Sequence, residues 1–129
     1  MATFKSIEDI EAWQLARDLT REIYQVSGRG AFSRDYALRD QVRRACISVM
    51  SNIAEGFERN GTGEFLQFLA IAKGSIGELR SQMYIAFDQQ YIDKAAFDRL
   101  SVTTSKIGNM IGGLMDYLRK TPIKGTKYK

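Results

Sequence analysis

Apolar residues recur along most of the chain at alternating spacings of three and four positions, which places them on one face of a helix. In the first two segments with this pattern, the positions on that face are Ala12, Ala16, Leu19, Ile23 and Val26, and then Leu38, Val42, Ala45, Val49 and Ile53. In the last two segments they are Phe65, Leu69, Ala72, Ile76, Leu79, Met83 and Ala86, and then Phe97, Leu100, Thr104, Ile107, Ile111, Leu114 and Leu118. The pattern predicts four amphipathic helices in an all-α fold.

Capping and turn residues indicate where these helices begin and end. The run Ser6–Asp9 is typical of a capped helix start, and Gly28 favours a stop. The second helix is expected to follow Ser33 and to end at Gly56, before a turn at Asn60–Gly63. Short connections between helices of roughly 20 to 25 residues favour antiparallel neighbours. The sequence therefore predicts an antiparallel up-down-up-down four-helix bundle.

Length and composition fit one domain with a basic extension. The chain has 129 residues, of which 44% are hydrophobic, so it can bury a full core without metals or disulfides. We assign residues 1–120 to the bundle and residues 121–129 to a basic, flexible tail. The chain has a formal charge of +4, and its last basic residues are Arg119, Lys120, Lys124, Lys127 and Lys129. Without these five, 14 basic and 15 acidic residues remain, so the body is close to neutral.

Two features of the helices bear on their packing. A helix-interior glycine costs about 1 kcal/mol, so we expect close backbone crossings at such positions. These glycines are Gly74, Gly77, Gly108, Gly112 and Gly113. The third helix also carries apolar residues away from its main face, namely Leu66, Phe68, Ile71, Ile85 and Phe87. This excess favours self-association, although a wide core face could also accommodate it.

The N-terminus and the cysteine content indicate a cytoplasmic protein. The first residues lead directly into a charged amphipathic segment, without the apolar run of a signal peptide or of a membrane span. The single cysteine, Cys46, has apolar neighbours and no partner for an intramolecular disulfide. We expect a buried, unreactive thiol in a reducing compartment, and no contact with a membrane.

The absence of histidine argues against an enzyme and against a metal site. Histidine is the most frequent general base near neutral pH and the most frequent ligand of transition metals. Neither a di-iron Glu-x-x-His motif nor a Ser-His-Asp arrangement can be formed from these residues. The loop Gly61–Gly63 also lacks the lysine and the spacing of a phosphate-binding P-loop. We therefore expect no catalytic residues, no metal and no cofactor.

An arginine cluster near the start of the second helix is the strongest candidate for a binding site. It consists of Arg29, Arg34, Arg39, Arg43 and Arg44, opposed locally by only two aspartates, Asp35 and Asp40. Arg39 and Arg43 are one helical turn apart and could contact successive phosphates of a nucleic acid. The alternative is that these arginines pair within the protein, with Asp40 or Glu55, or form a solvated face.

Four polar residues beside the apolar faces form a second candidate group. Asn52 and Glu55 lie close together on the second helix, and Ser75 and Glu78 on the third. A carboxylate here could bind a ligand or act in catalysis. The interpretation we favour is a structural polar layer that fixes helix register, with Arg43 or Arg44 as partner.

Several of these segments together resemble a known family. The resemblance rests on the run 38–48, the Asn-Ile-Ala-Glu-Gly element at 52–56 and the Gly-Ser-x-x-Glu-Leu element at 74–79. They resemble the four-helix-bundle proteins encoded in intervening sequences of bacterial 23S ribosomal RNA genes. The resemblance extends from about Phe4 to Leu118. The family includes the accessory protein of diversity-generating retroelements, a five-subunit barrel that binds nucleic acid and a reverse transcriptase.

The resemblance implies a homopentamer with a basic surface. Together with the arginine cluster, it leads to our first hypothesis, a non-enzymatic oligomer that binds RNA or DNA. Arg39, Arg43 and Arg44 match the basic segment of the family, while Asn52, Glu55, Ser75 and Glu78 match positions that look structural. A second hypothesis is a protein-interaction scaffold that recruits a partner such as a polymerase through the third helix, without nucleic acid.

Overall fold

The computed structural model describes residues 4–121, and in that part of the chain all regular secondary structure is helical. The four long helices are α1 (Glu11–Ser27), α2 (Tyr36–Glu58), α3 (Thr62–Asp88) and α4 (Lys94–Lys120). Short 3-10 helices at Ile7–Asp9 and Gly30–Arg34 precede α1 and α2. The predicted all-α fold is confirmed. Apart from Thr121, the predicted basic tail lies outside the described residues.

The helices form a four-membered ring, in which α1 and α3 each pack against α2 and α4. Between α2 and α3, Ser48 contacts Ser75 and Gly56 lies against Phe65. Residue numbers therefore increase along one helix in the direction in which they decrease along the other. The same opposite order is found between α1 and α2 and between α3 and α4. The contacts that give it are Thr20–Met50 and Ser27–Arg43, and then Ile76–Gly108 and Lys73–Gly112. Consecutive helices therefore run antiparallel.

The core contains nearly all the positions that the apolar pattern selected. Only Val26 and Phe97 among them are half-buried, and the rest are buried. Phe32 was not predicted as a core residue, yet it is fully buried in the 3-10 helix between α1 and α2. Its ring stacks on Tyr91 with 5.2 Å between centroids, and so closes one end of the bundle. Isolated aromatic residues in a connection carry no periodicity, which is why the pattern could not select it.

Two predicted helix boundaries are shifted by short 3-10 turns. The Asp9 carboxylate accepts hydrogen bonds from the backbone N–H groups of Lys5 (2.8 Å) and Ser6 (3.2 Å). This cap stands at the start of the 3-10 helix Ile7–Asp9, and α1 begins only at Glu11. Similarly, α2 begins at Tyr36 and not directly after Ser33. The reason is Asp35, whose carboxylate caps the helix by accepting the Leu38 N–H at 3.1 Å.

Gly56 does not end α2 as predicted, because the helix continues to Glu58. Its role is close packing against α3. A Cβ atom at this position would lie 2.8 Å from Phe68 Cβ and 2.9 Å from Phe65 Cδ1. The missing side chain thus lets the two helices approach near their shared turn.

The other helix-interior glycines do not form the close crossings that were predicted. A Cβ atom at Gly74, Gly77 or Gly113 would meet no atom within 4 Å, because these residues face outward. Gly108 and Gly112 do face α3, but at an ordinary contact distance of 3.5 Å. Close approach through glycine is therefore found at Gly56, which the sequence had indicated as a helix end.

Cys46 is buried, as expected, beneath α1. Removal of the thiol from water raises its pKa to about 12, an effect only partly offset by a hydrogen bond with Thr20. Such a thiol is almost fully protonated near neutral pH and is a poor nucleophile. None of the helices between residues 4 and 121 combines the length and apolar character needed to span a bilayer.

The close approach at Gly56 gives a test of the α2–α3 packing. Gly56→Ala is expected to lower the free energy of unfolding by about 1–3 kcal/mol, because the added methyl group would force the two phenylalanine side chains apart. Gly113→Ala is the matched control, expected to raise it by up to about 1 kcal/mol through helix propensity alone. Urea denaturation measures both. A Gly56→Ala protein as stable as the parent would contradict the described packing.

Candidate nucleic-acid interface

The arginine cluster lies at one corner of the bundle, where the C-terminal end of α1 meets the start of α2. We call the surface formed by residues 24–44 the arginine corner. Arg29, Arg34 and Arg44 are exposed there, and Arg39 and Arg43 are half-buried. The five guanidinium groups are opposed by two carboxylates on the same segment, Asp35 and Asp40. The corner is therefore basic although the whole body is close to neutral.

Arg43 connects α2 to the last turn of α1. Its Nε donates to Ser27 Oγ at 2.9 Å, and its Nη2 donates to the Tyr24 carbonyl at 3.3 Å. Its guanidinium also lies over the Tyr24 ring, 4.5 Å from the centroid. Carbonyl groups in the last turn of a helix lack partners within the helix, so this contact satisfies one of them. Arg43 has a structural role, and its hydrogen-bond partners are uncharged.

Arg39 is held in a similar way one turn earlier on α2. Its Nε pairs with Asp40 Oδ1 at 3.0 Å, and its Nη1 donates to the Ser33 carbonyl at 3.2 Å. The guanidinium lies 4.8 Å from the centroid of the Tyr36 ring. The carboxylate of Asp40 offsets part of its charge. Pairing with Asp40 is one of the two intramolecular pairings that the sequence had left open.

Arg44 differs from both. Its side chain is exposed, and the structure gives it no hydrogen bond or ion pair with any residue between 4 and 121. Consecutive residues of a helix are about 100° apart around its axis, so Arg44 faces away from the surface that Arg39 and Arg43 share. The structure thus brings Arg39 and Arg43 together and places Arg44 on the adjacent outer face of α2.

The four candidate polar residues do not form one layer. Asn52 Nδ2 donates to the Ser48 carbonyl at 2.8 Å and to Ser48 Oγ at 3.1 Å, and Ser48 Oγ is 2.7 Å from Ser75 Oγ. Ser75 is only 5% exposed, so this short network connects α2 and α3 through a buried contact. Ser48 was missed by the sequence analysis, although its position one turn before Asn52 was a usable signal.

The two carboxylates lie outside this network. Glu55 is exposed and pairs with Arg59 on the next turn at 2.9 Å, not with Arg43 or Arg44 as suggested. Glu78 is also exposed, and its carboxylate has no hydrogen bond or ion pair with another described residue. Across residues 4–121, no three or more acidic or cysteine side chains are grouped so that they could hold a metal ion.

The fold and the corner define the class of protein: an all-α four-helix bundle with a cluster of arginines at one corner. The family model described as 23S rRNA-intervening sequence protein matches residues 8–113, and the chain belongs to that family. The resemblance stated from the sequence is thereby confirmed.

A similar solved structure supports the same fold. It is the crystal structure, at 1.70 Å resolution, of a protein of unknown function from the S23 ribosomal protein family of Bacteroides thetaiotaomicron VPI-5482. The alignment has a TM-score of 0.74 at 15% sequence identity, and covers 81% of this chain and 95% of that chain. At this identity the similarity concerns the fold alone. No curated protein matches the chain.

The different environments of Arg43 and Arg44 predict different effects on stability. Arg43→Ala is expected to lower the free energy of unfolding by about 1–3 kcal/mol, because it removes two hydrogen bonds and leaves a helix-terminal carbonyl without a partner. Arg44→Ala should change it by less than about 0.5 kcal/mol, as usual for an exposed site. Thermal and urea unfolding would measure both. Equal effects of the two substitutions would show that Arg43 does not connect the helices.

Proposed function

We propose that this protein is a non-enzymatic, oligomeric four-helix bundle that binds RNA or DNA through the arginine corner. The observation that carries the proposal is the concentration of five arginines on one short segment, with three of them exposed: Arg29, Arg34 and Arg44. None of these three has an ion pair with another described residue. Clustered guanidinium groups without carboxylate partners are suited to the phosphates of a nucleic-acid backbone.

The two half-buried arginines contribute unequally to this surface. Arg43 bonds to uncharged oxygens, so its full positive charge adds to the local field. Arg39 is partly neutralised by Asp40 and adds less. Contacts of this kind position a nucleic acid without reading its sequence, because phosphates carry no sequence information. Membership of the family, which also contains the accessory protein of diversity-generating retroelements, supports the same function.

The proposal includes self-association through the outer face of α3. Ile71 and Ile85 are each about half exposed there, at 52% and 47% of their surface. Exposed aliphatic residues that recur along one helix favour an interface. The resemblance implies five subunits. Cytoplasmic location is also part of the proposal, because a free, buried Cys46 suits a reducing compartment.

Nucleic-acid binding is tested by removing the three exposed charges together, in Arg29→Gln/Arg34→Gln/Arg44→Gln, which leaves the Arg43 contact intact. The matched control, Arg17→Gln/Lys106→Gln/Arg80→Gln, removes the same charge from exposed residues elsewhere on the bundle. Affinity is measured for RNA and DNA over a range of salt concentrations. The magnitude of the slope of log affinity against log salt should fall by about 2 to 3 in the corner variant, since each of the three lost phosphate contacts contributes roughly 0.7 to 0.9.

In the control variant the slope should remain that of the parent protein. Equal slopes in all three proteins would contradict the assignment of the arginine corner. An oligomer that binds neither RNA nor DNA at any salt concentration would favour the scaffold hypothesis instead.

Self-association is tested by light scattering on the purified chain. The expected particle has five times the 14.6 kDa subunit mass. Ile71→Glu/Ile85→Glu should reduce that mass by placing charges in an apolar interface. The matched control Gln25→Glu/Asn109→Asp, at exposed positions of α1 and α4, should leave it unchanged. A parent protein that scatters as a single subunit at micromolar concentration would overturn this part of the proposal.

A further inference from the structure

Two exposed tyrosines of the arginine corner each carry a guanidinium group on the ring. Tyr36 is 63% exposed and lies beneath Arg39, whereas Tyr24 is 40% exposed and lies beneath Arg43. Aromatic rings this exposed contribute little to the core. The core at this end of the bundle is instead closed by Phe32 and Tyr91, which stack on each other.

The four residues form a row across the corner. Tyr36 and Arg43 are seven positions apart on α2, which places them on the same side of the helix about 10 Å from each other. Arg39 lies between them, and Tyr24 extends the row onto α1 through its contact with Arg43. The order across the surface is therefore Tyr36, Arg39, Arg43, Tyr24. We call this the tyrosine–arginine row.

The planar groups of the row are held in place before any ligand binds. Arg39 is fixed by Asp40 and the Ser33 carbonyl, and Arg43 by Ser27 and the Tyr24 carbonyl. Each fixed guanidinium in turn restricts the ring beneath it. Groups ordered in advance lose less conformational entropy on binding, so such a surface binds a planar partner more tightly than mobile side chains would.

We propose that the tyrosine–arginine row binds unpaired bases of a single-stranded nucleic acid. The bases stack on the faces of Tyr36 and Tyr24 that Arg39 and Arg43 leave uncovered, while the exposed Arg29 and Arg34 contact the phosphates. This inference rests on the proposed function of the arginine corner and names its ligand more narrowly. Bases of a duplex are stacked on each other and present only their edges, so they cannot stack on protein rings. Alternating aromatic and cationic groups suit a single strand of any sequence, because every base has an aromatic face.

The two carboxylates of the arginine corner do not obstruct the binding of a strand along the tyrosine–arginine row. The Asp40 carboxylate is paired with the guanidinium of Arg39, which belongs to the row. Asp35 is half-buried, and accepts hydrogen bonds from the Leu38 N–H and from the Tyr91 hydroxyl at 2.9 Å. Both acidic groups are therefore engaged within the protein, and the exposed Arg29 and Arg34 flank the row on the α1–α2 connection.

The test compares single-stranded RNA, single-stranded DNA and the matching duplexes, all of mixed sequence. Tyr36→Leu removes the aromatic face at an exposed position and keeps an apolar side chain that favours a helix. Tyr84→Leu is the matched control, since Tyr84 is 57% exposed and packs edge-on against Phe97. Tyr36→Phe retains the ring without its hydroxyl group. Affinities are measured by fluorescence anisotropy at several salt concentrations.

Tyr36→Leu is expected to weaken single-strand binding about tenfold, with duplex binding and the salt dependence unchanged, because stacking is lost and no charge is removed. Tyr36→Phe and Tyr84→Leu should bind like the parent. Tyr24→Leu should also weaken single-strand binding about tenfold. The unfolding midpoint of the Tyr24→Leu protein is measured in parallel, because Tyr24 also contacts Arg43. If that midpoint falls, the conclusion rests on Tyr36→Leu alone.

The outcomes separate this inference from the function on which it rests. Single strands and duplexes bound equally, with no effect of Tyr36→Leu, would overturn the stacking inference and leave phosphate binding by the corner intact. Absence of binding to every nucleic acid would overturn both. Tyrosine-dependent binding of either the RNA or the DNA strand alone supports the inference and identifies the natural class of strand.

Discussion

Arg43 ties the last turn of α1 to α2, and the geometry of the arginine corner depends on this contact. The Arg43 guanidinium donates two hydrogen bonds to α1 and lies over the Tyr24 ring. An arginine is suited to this position because its planar fork can donate to two oxygens and stack on a ring at once. The same contact leaves the positive charge without a carboxylate. One side chain therefore both joins two helices and contributes to the electrostatic field of the corner.

The outer faces of the bundle differ in a way that suits two separate interactions. The outer face of α1 is mostly polar, with Gln14, Arg17, Asp18, Arg21 and Gln25 exposed there. The outer face of α3 exposes aliphatic residues, among them Ile71 and Ile85. If subunits associate through α3, the α1 face and the arginine corner remain available to solvent. The arginine corner could then be repeated around an assembly, and several weak phosphate contacts would bind one long polyanion together.

The sequence predicted the fold because helical periodicity reports burial directly. It could not predict features that depend on contacts between distant segments. Phe32 lies in a connection without periodicity, and the packing role of Gly56 is visible only once α3 is known to approach it. The sequence grouped Arg39, Arg43 and Arg44 by proximity along the chain. Their separate environments became visible only when α1 was placed against α2, which supplies the partners of Arg43.

The most direct test of the arginine corner is photo-crosslinking of the purified protein to a single-stranded oligonucleotide, with the modified peptides identified by mass spectrometry. Tyrosine residues that stack on bases are efficient positions for such crosslinks, so the expected modified residues are Tyr24 and Tyr36. Crosslinks confined to the outer face of α4, for example at residues near Val102, would contradict the assignment of the corner as the nucleic-acid interface.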